Sequence, residues 1–161
     1  MMANDRFGNR IPINTNFVAV YVCRKVKSKS RYLIMKRKSQ YMHGLWGQVA
    51  GKIENGETAA QAALRETKEE TGLTPDKLYS VDVVESFYEA DYNYISIIPV
   101  FVAFVPARSA VTLSWEHGEY KWVTPSQAKK LLPFIQQRRT IDIIEQEFIL
   151  REPLQNLRIN L

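Results

Sequence analysis

Short apolar runs alternate with polar breaks through the first two thirds of the chain, and the period becomes helical near its end. Residues 18–22 and 32–35 are apolar or β-branched stretches on either side of the polar "RKVKSKSR", Arg24 to Arg31. That arrangement predicts a β-hairpin with a solvated basic loop. "GLWGQVAGKIENGE" predicts short strand pieces broken by turns, with Asn55–Gly56 a strong turn signal. A helix is predicted over 59–71. Thr58 and Gln61 have capping-box spacing, alanines fill its first turns, and Gly72 supplies the stop. "YSVDVVESFYEA" and "YISIIPVFVAFV" predict two longer strands around a turn near 91–93, with Pro99 requiring an edge position or a bulge. "EYKWV" predicts another strand. Thr124–Pro125 opens a helix over 126–132, and an amphipathic helix follows over 136–150 with Ile141, Ile144, Phe148 and Ile149 facing inward. Strands mixed with helices at this length predict one α/β or α+β domain over residues 1–161, a sheet covered by helices.

Composition narrows the class. Hydrophobic residues make up 45% and charged residues 24% of 161, an ordinary globular balance. The lone cysteine, Cys23, lies in "FVAVYVC" and is read as a buried strand thiol. His43 and His117 are isolated, so no Cys/His metal spacing exists. The first fifteen residues hold no apolar core of signal-peptide length, and no run approaches the ~20 residues of a membrane span. A cytoplasmic protein is expected. The net charge of +5 favours anionic partners: nucleic acid, phosphorylated metabolites or acidic lipid. No tract interleaves Lys/Arg with aromatics as single-strand binders do, so a stable nucleic-acid partner is not expected. A homodimer is compatible with the sequence.

The predicted helix over 59–71 carries the chemistry. At about 100° per residue, Glu69 lies about 60° to one side of Glu66 and Glu70 about 40° to the other. Ala60, Ala63, Leu64 and Thr67 form the expected core stripe beside them. Like charges so close repel, by about 0.2–0.5 kcal/mol for an i,i+4 pair. From Lys52 to Glu70 there are five glutamates against three basic residues, an acidic island in a basic chain. A solvated face explains this blandly. A hard divalent cation explains it chemically, because Mg²⁺ joins one or two carboxylates to substrate phosphates. Gly51 allows close backbone approach, Glu57 can reach the same patch, and Arg65 can anchor a loop carboxylate.

Written as a pattern, Gly51, Glu57, Arg65–Glu66, Glu69–Glu70 and Gly72–Leu73 resemble the Nudix box, G-x5-E-x7-R-E-U-x-E-E-x-G-U, where U is a bulky aliphatic. Every fixed position is filled. Thr67 stands where a larger aliphatic is expected, and its hydroxyl can bond the carbonyl one turn back. The resemblance implies an α/β/α sandwich around a mixed sheet. It also implies Mg²⁺- or Mn²⁺-dependent hydrolysis of a nucleoside diphosphate linked to another group. By that likeness Glu66, Glu69 and Glu70 hold the metal with help from the Gly51 carbonyl and Glu57, and Arg65 completes the catalytic set. "EHGEYKWVTPSQAKKLL", "RRTIDIIEQEF" and "MKRK" are similar to the branch of dATP pyrophosphohydrolases that also cleave dihydroneopterin triphosphate. That likeness puts a further metal ligand on Glu116 and a substrate contact on Arg37. Trp46, Phe87 and Tyr88 are candidates to stack on a base or pterin ring. Phe134 departs from the branch, standing where a small hydroxyl residue is expected. ADP-ribose, dinucleoside polyphosphates, oxidised dNTPs and capped RNA stay open as substrates, as does a non-catalytic nucleotide sensor.

Overall fold

A computed structural model describes residues 10–161. Residues 1–9, part of the stretch read above as lacking a signal sequence, lie outside the described residues. Nine strands and three helices follow in the order β1 (Ile13–Asn14), β2 (Phe17–Val26), β3 (Lys29–Arg37), β4 (Trp46–Gly47), β5 (Val49–Lys52), α1 (Ala59–Thr71), β6 (Lys77–Glu89), β7 (Tyr94–Phe104), β8 (His117–Val123), α2 (Pro125–Leu131), α3 (Ile135–Ile144) and β9 (Arg158–Ile159). All nine strands form one mixed sheet. Strand β7 runs parallel to β1 and β2 and antiparallel to β6, while β2 pairs antiparallel with β3 and β5.

Strand alternation builds two cores. Val18, Val20, Val22, Leu33 and Met35 face α1, packing on Ala62 and Ala63. Ala19, Tyr21, Cys23, Tyr32 and Ile34 face the other way, onto Ala128 of α2 and onto Ile141, Ile144 and Phe148. Each of the larger aliphatic or aromatic side chains contributes about 1.5–3 kcal/mol by leaving water. The result is the expected α/β/α sandwich. Cys23 is buried, as expected.

Two expectations are adjusted, and the bulge expected at Pro99 is met on its partner strand. The basic segment is not a loop: Arg24, Lys25 and Val26 pair with Arg31, Ser30 and Lys29, leaving only Lys27–Ser28 to turn. Lys27 takes a positive φ of 59° to close that turn. Arg24 stays favourable in a strand by lying over the Trp122 ring, 4.1 Å from its centroid. Pro99 sits in interior strand β7, and the bulge lies opposite it, between Ser80 and Val84 on β6. The last helix is α-helical only to Ile144 and ends in a π-helical turn, Glu145–Ile149. The Glu145 carboxylate pins that transition by accepting hydrogen bonds from Ser30 and Tyr32, both at 2.7 Å.

Candidate active site

Helix α1 spans the expected residues and is closed at both ends. Thr58 and Gln61 complete a capping box, and Gly72 takes φ 71° and donates its N–H to Lys68. Thr67 is fully buried, its hydroxyl bonded to the Ala63 carbonyl at 2.7 Å. The departure from a bulky aliphatic is therefore absorbed within the helix.

The three glutamates do not share a solvent face. Glu69 is 58% exposed, Glu66 is 13% and Glu70 is 4% exposed at the side chain. The buried residues of α1 are Ala62, Ala63, Thr67, Glu70 and Thr71, so the core stripe is rotated toward the carboxylates. Strand β5 causes this. A Cβ on Gly51 would stand 1.9 Å from Glu66 Cδ and 2.1 Å from its Oε1. Only glycine leaves room for the carboxyl.

Arg65 organises the rim. Its Nε donates to Glu57 Oε1 (2.7 Å). Nη1 donates to Glu66 Oε1 (2.7 Å) and Glu69 Oε2 (3.1 Å). Nη2 donates to the Lys52 carbonyl (2.8 Å) and Glu57 Oε2 (2.9 Å). Five bonds match the five N–H donors of a guanidinium. The bidentate grip on Glu57, with the Glu54 amide on Oε2, pulls that carboxyl down to about 2.

Glu70 shows the opposite electrostatics. Burial first, then the charges of Glu66 and Glu116, push its carboxyl up to about 9. Glu66 is also raised, mainly by burial. Glu70 Oε2 is sealed from water without a hydrogen-bond partner, and His117 Nδ1 and Ser114 Oγ are in the same condition. His117 Nε2 lies 3.9 Å from Glu70 Oε2. Burial, then Arg37, lower the histidine's pKa, so this contact is not an ion pair at neutral pH.

Glu116 and Arg37 meet across 79 residues of chain: Nη2 donates to Glu116 Oε2 at 3.0 Å. Arg37 Nε is held by Ser39 Oγ and the Tyr41 carbonyl. Strands β3 and β8 make the meeting possible, with Arg37 opposite His117. Trp46 is half-buried beside Lys36 and Lys121, whose amines lie 5.9 and 4.7 Å from its ring centre. Tyr88 is 53% exposed and donates to Asn93 Oδ1.

Among the described residues no three His, Cys, Asp or Glu side chains form a ready cation cage. Arg65 takes one oxygen each of Glu66 and Glu69 and both of Glu57. The donor set still fits a hard divalent cation. It is all oxygen, its buried members repel one another, and Glu70 Oε2 is left without a partner. One neighbour of the buried carboxylates escaped the sequence: His117 is isolated in the chain, and nothing in its spacing points to Glu70.

Comparison with known proteins identifies the family. The NUDIX domain model matches residues 15–142. The chain is 32% identical over 115 residues to an asymmetrical bis(5′-nucleosyl)-tetraphosphatase of Caenorhabditis elegans, covering 70% of this chain and 81% of that protein. It is 26% identical over 141 residues to the dihydroneopterin triphosphate diphosphatase of Escherichia coli, covering 78% and 89%. The solved structure of the E. coli dihydroneopterin triphosphate pyrophosphohydrolase superposes with a TM-score of 0.67 at 25% identity, over 88% of this chain and 99% of that one. An octanoyltransferase of Myxococcus xanthus is 31% identical over 77% of this chain, but the match spans only 35% of that longer protein. With the box filled, the fold matched and the family model covering most of its length, this chain belongs to the Nudix family of hydrolases, pyrophosphohydrolases that cleave anhydride bonds in nucleotide-like substrates.

Proposed function

We propose that the chain hydrolyses a nucleoside or pterin triphosphate, of the dATP or dihydroneopterin triphosphate kind, and releases pyrophosphate. The observation that carries this reading is the Arg37–Glu116 pair beside Glu70. It joins the expected substrate contact to the expected ligand outside the box. Likeness to the E. coli dihydroneopterin triphosphate enzyme supports it.

In this reading Glu66, Glu69, Glu70, Glu116 and the Gly51 carbonyl hold Mg²⁺ or Mn²⁺, while Glu57 serves the site through Arg65. When bound, the metal neutralises phosphate charge and lowers the pKa of a bound water. The chain's own residues do the positioning. Gly51 seats Glu66, and Arg65 fixes Glu66 and Glu69 relative to the Glu57 loop. Arg37 exchanges Glu116 for phosphate oxygens, and Trp46 and Tyr88 offer rings to the base or pterin.

A second reading, hydrolysis of a dinucleoside polyphosphate, is favoured by the 32% identity to the tetraphosphatase. A product-resolved screen with Mg²⁺ at about pH 8 tests both, using dihydroneopterin triphosphate, the dNTPs, ADP-ribose and diadenosine polyphosphates. Pyrophosphate from a triphosphate is the expected result. Turnover of dinucleotides alone would replace the first reading with the second. Absence of turnover with metal bound would make the chain a nucleotide sensor.

A further inference from the structure

The carboxylate site makes no use of the basic run Arg24–Arg31. One cation of that run, Lys25, lines a cleft at the far end of β2. Val18 of the same strand pairs with Gly51, and strand rise puts roughly 23 Å between Val18 and Lys25. The cleft is therefore separate from the glutamates.

Sheet register builds it. Cys23 pairs with Phe104, Phe104 with Lys77, and Tyr79 with Arg158. Paired residues project from one face of a sheet, and so do residues two apart on a strand. Lys25, Lys77, Tyr79, Phe104 and Arg158 accordingly share one face across β2, β7, β6 and β9. Further along, Ala128 of α2 and Ile141 and Ile144 of α3 pack against that face. The helical cover ends with the π-helical turn at Ile149. Beyond it lies an open cleft of about 490 Å³, the size of a small-molecule site.

The floor is aromatic. Tyr79 meets Phe104 and Phe148 edge to face, with ring centres 6.1 and 5.8 Å apart. The other lining groups are charged. Lys25, Lys77 and Arg158 arrive from three different strands, and Lys25 Nζ lies 5.8 Å from the Phe104 ring centre. Asp76 and Glu152 line the same cleft. Elsewhere Arg37, Arg65, Lys121, Lys129 and Arg151 each hold a carboxylate. The charged groups of the cleft do not: among the described residues, none of these side chains makes an ion pair or a hydrogen bond, although both signs are present.

That combination selects a ligand class. A bare anion would meet two carboxylates as well as three cations. A ligand with an anionic end, a flat ring and hydroxyl donors uses all three parts of the lining. The cations take the anion, the aromatic floor takes the ring, and the carboxylates accept from the hydroxyls.

We propose that this cleft is a second, non-catalytic nucleotide site that takes a nucleoside monophosphate. The phosphate lies on Lys25, Lys77 and Arg158, the base on the Tyr79–Phe104–Phe148 floor, and the ribose hydroxyls on Asp76 and Glu152. Under the function proposed above, a monophosphate is what pyrophosphate release leaves behind. The assignment of the cleft does not rest on that reaction.

The test titrates the full-length, isotope-labelled chain in EDTA with AMP, adenosine and inorganic phosphate, followed by amide chemical shifts. Saturable AMP shifts are expected around Lys25, Lys77, Phe104 and Arg158, with adenosine and phosphate each bound about tenfold more weakly or worse. The double variant Lys77→Glu, Arg158→Glu is expected to bind AMP about tenfold more weakly or worse at the cleft, with melting temperature and Mg²⁺-dependent turnover as in wild type. AMP shifts confined to Arg37 and Glu66–Glu70 would place the ligand at the carboxylate site alone and overturn the proposal. So would an absence of saturable binding, or an affinity that the double variant leaves unchanged. Phosphate bound as tightly as AMP would mean that surface cations attract any anion, and would also overturn it. If the double variant does not fold, Lys25→Gln and Arg158→Gln are read singly in the same way. Should no triphosphate be hydrolysed, the proposed function fails, while the AMP shifts still decide the cleft because they are measured without turnover.

Discussion

The backbone of Gly51 and the carboxyl of Glu66 share one small space, so that a methyl group on residue 51 would overlap Glu66 Cδ at 1.9 Å. Gly51 is not among the positive-φ residues, so alanine is tolerated by the backbone there. The obstructing atoms are the far end of a flexible side chain. Gly51→Ala is therefore expected to fold, with a melting temperature within a few degrees of wild type, while Glu66 is driven from its seat. Turnover is expected to fall by about 100-fold or more. A kcat within threefold of wild type would show that the seat does not matter.

Glu70 makes the metal-free protein sensitive to alkaline conditions. Its folded pKa is about 9 against an ordinary 4.5. The folded state thus keeps a proton that the unfolded state releases. The cost is absent below about pH 4.5, grows as pH rises through the window, and is complete above about 9. Glu66 and Glu85 shift in the same direction and add to the slope. Melting temperature in EDTA should fall from pH 5 to 9, and Glu70→Gln should reduce that slope while abolishing turnover. Mg²⁺ should stabilise wild type more at high pH than at low pH. Equal pH slopes for wild type and Glu70→Gln would contradict this.

The burial of Glu70 also marks where sequence reasoning stopped. Box spacing located every fixed residue of α1, and the capping box and Gly72 set its ends. Rotation angles alone placed the core stripe on Ala60, Ala63, Leu64 and Thr67, of which Ala63 and Thr67 are buried. They carry no information on which face β5 approaches, and Gly51 brings β5 against Glu66. The β-hairpin is present as expected, but its loop is shorter than the basic run suggests, because charge in strands is tolerated where side chains project past the core, as Arg24 does over Trp122. Resemblance singled out Arg37 and Glu116 separately. Their pairing depends on the register of β3 against β8, which no local pattern encodes.

The Arg37–Glu116 ion pair predicts coupling between phosphate binding and metal binding. Arg37→Ala is expected to raise KM about tenfold with a smaller effect on kcat, because in the proposed reading it removes a phosphate donor. Glu116→Gln is expected to raise the Mg²⁺ concentration needed for half-maximal rate. Together the two losses should be non-additive, since each residue is the other's partner before substrate arrives. A double variant whose loss in kcat/KM equals the product of the single losses would show the pair to be incidental.

Arg65 and Glu69 separate positioning from stability. Glu69 is 58% exposed and held, among the described residues, only through Arg65, so Glu69→Gln should leave the melting temperature nearly unchanged. If it is a metal carboxylate, turnover still falls by about 100-fold or more. Arg65→Lys keeps the charge but loses the planar fork, and a lysine amine has three donors against the five used here. It cannot hold Glu57 bidentately and also reach Glu66, Glu69 and the Lys52 carbonyl. The expected signature is a loosened loop, with faster proteolysis or hydrogen exchange near Glu54–Glu57, together with lower kcat and weaker metal dependence. A lysine variant with wild-type kcat would mean that charge alone, rather than the geometry of the fork, organises the carboxylates.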